Sequence, residues 1–317
     1  MNYPPAKLGD RNQVSVDGIL NVLKPAGPTS FAVVSQVRRL SGEQRVGHAG
    51  TLDPEATGVL IVCLGQATRI IEFLAKAAKT YRAEIELGIT TDSYDAVGRV
   101  IQRCDTSSVT EDQVGQVLDS YRGVIEQIPP MHSALRYGGK RLYQLARKGI
   151  EVSREPRRVE ISRLDLVQWQ SPVITIEVEC GAGTYIRSLA HDVGVALGCG
   201  AHLRKLVRLK SEPFRIDEAV SLDAIEEAFH HGYSGSLLHS IDEVLLGWTA
   251  VILSRENETL VKKGSSVVLE VAGGSGLADD WCRAYSVDGR FLAVLKRIDE
   301  RLWHPEKVFR DASYEAG

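Results

Sequence analysis

The stretch GHAGTLDPEATGVL, residues 47–60, constrains this chain more than any other. It sets one carboxylate, Asp53, in a glycine-punctuated loop that runs straight into an apolar segment, Val59 to Leu64 (VLIVCL). Gly47, Gly50 and Gly58 permit positive φ angles or close backbone approach, which a loop wrapped around a ligand needs. Pro54 acts the other way, restricting Asp53 to extended backbone and so to one presentation of its carboxylate. The apolar run reads as a buried strand that anchors the loop in a core. The same residues also suit an ordinary turn before a strand, since Asp and Pro favour turns. A phosphate-cradling loop fits poorly: there is no Gly-Lys-Ser/Thr ending, and a strand follows rather than a helix.

A net charge of −3 counts against a polyanionic partner, but the distribution of charge points the other way. Residues 1–210 hold 27 Lys+Arg against 22 Asp+Glu, whereas residues 211–317 hold 11 against 19. Residues 136–158 carry eight basic and two acidic side chains, and Arg204, Lys205, Arg208 and Lys210 share a ten-residue window without an acid. A phosphate backbone needs local positive surface of this kind; a solvated charged face is the plainer alternative. The five cysteines are scattered, without CxxC spacing, which predicts reduced thiols and neither a disulfide framework nor a zinc site. No apolar run has the length of a membrane span, and the N-terminus lacks the apolar core of a secretory signal. A cytoplasmic protein that does not engage a membrane is expected.

The pattern along the chain predicts a loose tail over 1–16, a strand over 18–24 and a helix capped by Thr29 or Ser30, with Val33, Val37 and Leu40 on one face. Ala67, Ile70, Ile71, Leu74 and Ala78 recur at helical spacing. Tyr81, Ala83, Ile85 and Leu87 alternate with charged residues as in a half-buried strand. Thr110 is placed to cap a helix. Strands are expected near 157–169 and 173–180, and GAGTYIR leads into a helix stopped by Gly198. Strands and helices intermingle without a βαβ repeat, so the fold class is α+β with a mixed, largely antiparallel sheet flanked by helices. From about residue 249 short strands and turns take over. The domain reading is a catalytic unit over 17–248, with a basic insertion at about 128–152, and a small β-rich unit over 249–317.

GHAGTLDPEATGVL followed by IVCLGQATR, together with KTYR (79–82), GTYIR (183–187) and AHLRKL (201–206), resembles the TruB-type pseudouridine synthases of the bacterial stand-alone kind. The resemblance implies the pseudouridine-synthase catalytic fold with a PUA-like C-terminal domain. It implies an isomerase that flips uridine 55 out of the tRNA T-loop, works without metal or organic cofactor, and needs no obligate protein partner; a monomer is expected. It assigns three catalytic residues: Asp53 as the carboxylate, Tyr81 as the residue that packs on the flipped base and helps remove the proton at C5, and Arg187 as the carboxylate's counter-ion. Tyr185 and Leu206 would line the pocket, His48 would fill the gap left in the T-loop, and Lys24 and Arg208 would bind RNA. The insertion would act as a thumb gripping the T-arm. A guide-RNA-dependent synthase and an RNA chaperone that refolds tRNA are the alternatives.

Chemistry adds a reason for Arg187. If Thr184 caps the helix, Arg187 lies in its first turn, where the helix dipole disfavours a cation unless an anion is near. Pairing would lower the Asp53 pKa and keep the carboxylate ionised.

Overall fold

The computed structural model describes residues 16–270 and 280–310. Apart from Val16, the expected tail lies outside the described residues, as do residues 271–279 of the short-strand region.

Ten strands build one mixed sheet. Its main path runs Val220–Ser221, Gly18–Lys24, Thr57–Leu64, Ala201–Ser211, Lys79–Leu87, Val173–Cys180, Arg157–Gln170 and Gly123–Gln127. Val46–Ala49 pairs with Thr57–Leu64, and Phe214–Arg215 with Ala201–Ser211. Only two pairings are parallel, Gly18–Lys24 with Val220–Ser221 and Ala201–Ser211 with Thr57–Leu64. This is the mixed, largely antiparallel sheet that the alternation predicts.

The helices follow from their caps. Thr29 accepts from the Ala32 amide at 3.0 Å and opens Ser30–Ser41, which buries Val33, Val34 and Val37. Thr110 and Gln113 form a capping box at the start of Glu111–Ser120. The helix expected over 67–78 is shorter than its spacing implies: a 3-10 turn over Gly65–Ile70 continues into an α-helix only over Ile71–Lys76. Ala77 is extended, so Ala78 falls beyond the helix end.

Ile186–Ala196 packs on the sheet through Ile186, Leu189, Ala190 and Val193, in one core with Leu52, Tyr81, Ile85, Ile176 and Leu206. The C-terminal residues form a separate five-stranded sheet in the order Thr249–Ile252, Trp281–Tyr285, Phe291–Arg297, Leu302–Val308, Val267–Val268. It has its own core around Trp303, Leu295 and Cys282, and a helix, Arg255–Lys262, that the short-strand pattern does not predict. The Phe73 ring meets Trp248 at 5.1 Å and Trp281 at 5.0 Å, and Lys307 pairs with Glu72 at 2.8 Å, so the small sheet is docked on the large unit. No helix among the described residues is long and apolar enough to cross a membrane.

Candidate active site

Asp53 sits in the loop between Val46–Ala49 and Thr57–Leu64, and three buried polar side chains hold that loop. Lys24 donates from Nζ to the carbonyls of Pro25, Pro54 and Ala56 at 2.9, 2.8 and 2.7 Å. Ser30 Oγ accepts from the Leu52 amide and donates to the Leu52 carbonyl, each at 2.9 Å. Arg208 donates from Nε to the Val59 carbonyl at 2.6 Å and from Nη2 to the Gly50 carbonyl at 3.1 Å. These ties satisfy backbone groups along the loop and its strand, and the Pro54 carbonyl also accepts from the Gly27 amide at 2.9 Å. The glycines serve the same packing. Gly58, at φ 101°, lies against the Arg208 backbone, where a Cβ would stand 2.2 Å from the carbonyl oxygen, and Gly50 is left-handed at φ 88°.

Lys24 and Arg208 therefore correct the sequence reading. The resemblance assigns both to RNA contact; both have no exposed surface and direct their donors inward. They hold the Asp53 loop in place instead. Burial, partly offset by the charges of Glu55 and Asp53, lowers the Lys24 ammonium to about 8. The 204–210 basic cluster is divided: Arg208 is internal and Lys210 pairs with Glu212, whereas Arg204 and Lys205 stay exposed, Lys205 lying 3.6 Å from Glu84. Replacing Lys24 with methionine strands the buried Ala56 carbonyl and removes the ties to Pro25 and Pro54, and is expected to destabilise the protein by about 2 kcal/mol. Urea denaturation checks this; an unchanged midpoint would mean that the lysine does not hold the loop.

Arg187 reaches Asp53 from the helix Ile186–Ala196, which shares a core with the loop through Leu52 and Ala56. Its Nε lies 2.9 Å from Asp53 Oδ2 and its Nη2 3.2 Å from Oδ1, a two-point pairing across 134 positions of sequence. The same guanidinium bonds Asp95 Oδ2 at 3.3 Å and the His132 carbonyl at 2.8 Å. Arg187 is the second residue of its helix, and Tyr185, not Thr184, is the N-cap; Thr184 turns its hydroxyl to the Gly181 carbonyl instead. The cap supplies no side-chain acceptor, and two carboxylates meet the cation placed at the helix's positive end.

The Asp53 side chain keeps 42% of its surface open while Arg187 keeps 7%, so an accessible carboxylate stands against a buried cation. Pairing alone predicts a lowered Asp53 pKa. The structure reverses the direction: desolvation by its packed neighbours raises it, outweighing Arg187, and Asp95 adds to the rise.

Tyr81 and Leu206 are each 8% exposed and share one cluster with Leu52 and Ala56 of the Asp53 loop. Burial raises the Tyr81 pKa, partly offset by the charge of Arg208. A phenol held neutral in this way suits packing against a base better than taking a proton. Tyr185 is half-buried; its amide donates to Gln127 Oε1 at 2.7 Å and its carbonyl accepts from Gln127 Nε2 at 3.0 Å. His48 lies on Val46–Ala49, with burial and Arg208 lowering its pKa. Its Nδ1 is buried without a partner, and no bond joins it to Asp53. A neutral, unpartnered imidazole fits a wedge better than a proton carrier.

Asp95, Gln127 and Ser30 escape a reading of the sequence. Nothing in TTDSYDAVG marks Asp95 as a partner of Arg187, because the contact exists only when the 88–104 ribbon folds beside the helix. The 128–152 insertion forms a ribbon, Arg136–Tyr137 with Lys140–Arg141, closed by Gly138 and Gly139 at φ 54° and 81°. Seven of the eight cations in 136–158 are exposed, all but Arg154, and the insertion's base touches the site through the His132 carbonyl. Among the described residues no group of three or more His, Cys, Asp or Glu is placed to hold a metal ion.

A lone carboxylate paired with a buried arginine, floored by a neutral tyrosine and flanked by a basic ribbon, can act on a neutral ring drawn from a polyanion. The class is that of pseudouridylate synthases, which are isomerases. The chain belongs to the TruB family: a model of the TruB family pseudouridylate synthase N-terminal domain matches residues 38–186, and one of the tRNA pseudouridylate synthase B C-terminal domain matches residues 187–250. A Dehalococcoides mccartyi protein named tRNA pseudouridine synthase B is 44% identical over 294 residues, 93% of this chain and 97% of that one. A protein of the same name from Syntrophotalea carbinolica is 54% identical over 211 residues, 67% of this chain and 69% of that one. Among solved structures, a chain in the crystal structure of a Cbf5-Nop10-Gar1 complex superposes with a TM-score of 0.73 at 25% identity, covering 95% of this chain and 87% of that one.

Proposed function

We propose that this protein converts uridine 55 in the T-loop of tRNA to pseudouridine, with Asp53 as the essential carboxylate. The N1–C1′ bond breaks, the base turns, and a C5–C1′ bond forms. One proton leaves C5 and one is gained at N1, so the product is an isomer of the substrate. The observation that carries the reading is the Asp53–Arg187 pair, held on a tied loop with its carboxylate accessible, beside the cluster that contains Tyr81 and Leu206. The carboxylate would act on the sugar or base, Arg187 would hold it, and Tyr81, Tyr185 and Leu206 would contain the flipped uracil. His48 would occupy the gap left in the loop. The name carried by the relatives supports tRNA as substrate.

The exposed cations of 136–158 would grip the T-arm phosphates. Residues 17–248 would be the catalytic unit and 249–317 an appended PUA-like module, working as a monomer without a protein partner. Exchanging Arg147 and Lys148 for glutamine is expected to weaken tRNA binding and to flatten its dependence on log salt, by about one unit of slope for each phosphate no longer neutralised. A filter-binding series in rising salt measures this; identical slopes for wild type and variant would make those side chains a solvated face only.

The test of the function is purified protein incubated with an unmodified T-arm hairpin, followed by carbodiimide mapping or mass spectrometry. Pseudouridine at position 55 is expected from the protein alone. The likeness to a chain that crystallised in a multi-protein complex keeps a guide-dependent synthase as the second reading. Product that forms only after guide RNA and partner proteins are added would select it.

A further inference from the structure

Tyr94 belongs to none of the assigned roles, yet it touches the Arg187 helix and the Ala201–Ser211 strand and directly precedes Asp95. It is the only non-glycine residue among those described with a left-handed backbone, φ 65°. An aromatic side chain persists there only when its surroundings over-determine it. Three contacts do so. The Tyr94 ring stacks on the His191 ring at 3.9 Å and 13°, and His191 lies one turn after Arg187 on the same helix. The Tyr94 carbonyl accepts from the Leu203 amide at 2.9 Å, fixing the backbone to the Ala201–Ser211 strand. The phenol lies in the field of the Arg154 guanidinium, which donates to the Pro129 carbonyl at 3.2 Å and pairs with Glu151 at 3.2 Å. Arg154 thereby draws together the two ends of the 128–152 insertion.

The residue that follows is Asp95, whose Oδ1 accepts from Ser93 Oγ at 2.5 Å while its Oδ2 faces Arg187 at 3.3 Å. A chain of contacts therefore closes on itself: Arg187 to Asp95, by one peptide bond to Tyr94, by stacking to His191, and back along the helix to Arg187. We propose that Tyr94 is a positioning residue for the catalytic ion pair: stacked on His191 and set beside Arg154, it sets the Asp95 carboxylate against Arg187 and ties that setting to the base of the insertion. The proposal rests on the reading of Asp53 and Arg187 as the reacting pair.

A residue that acts through Asp95 has nothing left to do once Asp95 can no longer hold the arginine. Single-turnover rates and tRNA affinity are therefore compared for wild type, Tyr94→Ala, Asp95→Asn and the double variant. Tyr94→Ala is expected to slow the single-turnover step about 10²-fold, the scale of an ångström-level misplacement. Affinity for tRNA should stay within about threefold, since the loss falls on the chemical step. The double variant should be no slower than the slower single variant. Multiplying losses, or a loss confined to affinity, would overturn the proposal. If Tyr94→Ala does not fold, Tyr94→Phe keeps the stack and removes only the hydroxyl beside Arg154; a smaller slowing that vanishes in the Asp95→Asn background is then expected, and an undiminished one overturns it. The wild-type arm separates this result from the functional reading, because an inactive wild type would sink the proposed function itself.

Discussion

Replacing Asp53 with asparagine is expected to slow pseudouridine formation by at least ~10³-fold, the upper part of the range for a positioned group that moves a proton or attacks. The change is isosteric and leaves the ties from Lys24, Ser30 and Arg208 intact, so the loop keeps its course. Arg187 retains Asp95 and the His132 carbonyl as partners. Affinity for tRNA should therefore change by no more than about threefold, because the phosphate contacts that dominate RNA binding lie elsewhere. Single-turnover kinetics and filter binding on the same preparation separate the two quantities. Full turnover by Asp53→Asn would refute the catalytic assignment, and loss of binding in step with activity would favour an RNA chaperone.

The direction of the Asp53 pKa adds a pH signature. Desolvation raises it, so kcat/KM should fall on the acid side with an apparent pKa above the ordinary aspartate value. Stability has the opposite sign. A carboxyl whose folded pKa exceeds its unfolded one stabilises the fold most when protonated, and that contribution is lost as pH rises through the two values. Asp53→Asn should accordingly melt no lower than wild type at pH 7, as expected where a carboxylate is held for chemistry rather than for stability.

Replacing Arg187 with methionine is the second large effect. The guanidinium is 7% exposed and separates two carboxylates, so its removal leaves Asp53 and Asp95 facing each other with the His132 carbonyl undonated. The expected cost is about 2–3 kcal/mol of stability, below the range for a fully buried pair because water reaches Asp53. Turnover should fall by roughly 10²–10³-fold as the carboxylate loses its two-point hold. The acid limb should also move further up in pH, since Arg187 is the largest influence lowering the Asp53 pKa. Arg187→Lys keeps the charge but cannot span three acceptors in the planar geometry of the arginine, and should fall between the two. A pH–rate profile that does not move in Arg187→Met would mean that the pair is structural only.

Much of the fold is legible in the sequence because its signals are local. The Thr29 and Thr110 caps, the alternation from Tyr81 to Leu87 and the apolar strand from Val59 depend on near neighbours in sequence, and each appears where the pattern places it. The Ala201–Ser211 strand is not legible, although it lies between both halves of the sheet. Register shifts at Leu203/Lys205 and Arg208/Lys210 break its period of two, and its charges read as a surface cluster. The same blindness mis-assigns Lys24 and Arg208. Charge predicts exposure, and only the surrounding carbonyls reveal that these two cations are donors turned inward.

The loop at 47–60 carries its own instructions for presenting Asp53: glycines where the backbone passes closest, and a proline that restricts the residue before it. That much belongs to the sequence, because steric limits on φ and ψ act between neighbours. What surrounds the carboxylate belongs to the tertiary structure. Arg187 comes from 134 positions away, Asp95 from a ribbon and His132 from the insertion, and their convergence depends on sheet order and on two bulges in one strand. Desolvation depends on every atom packed around a group, and so even the sign of the Asp53 pKa shift was decided only by the fold.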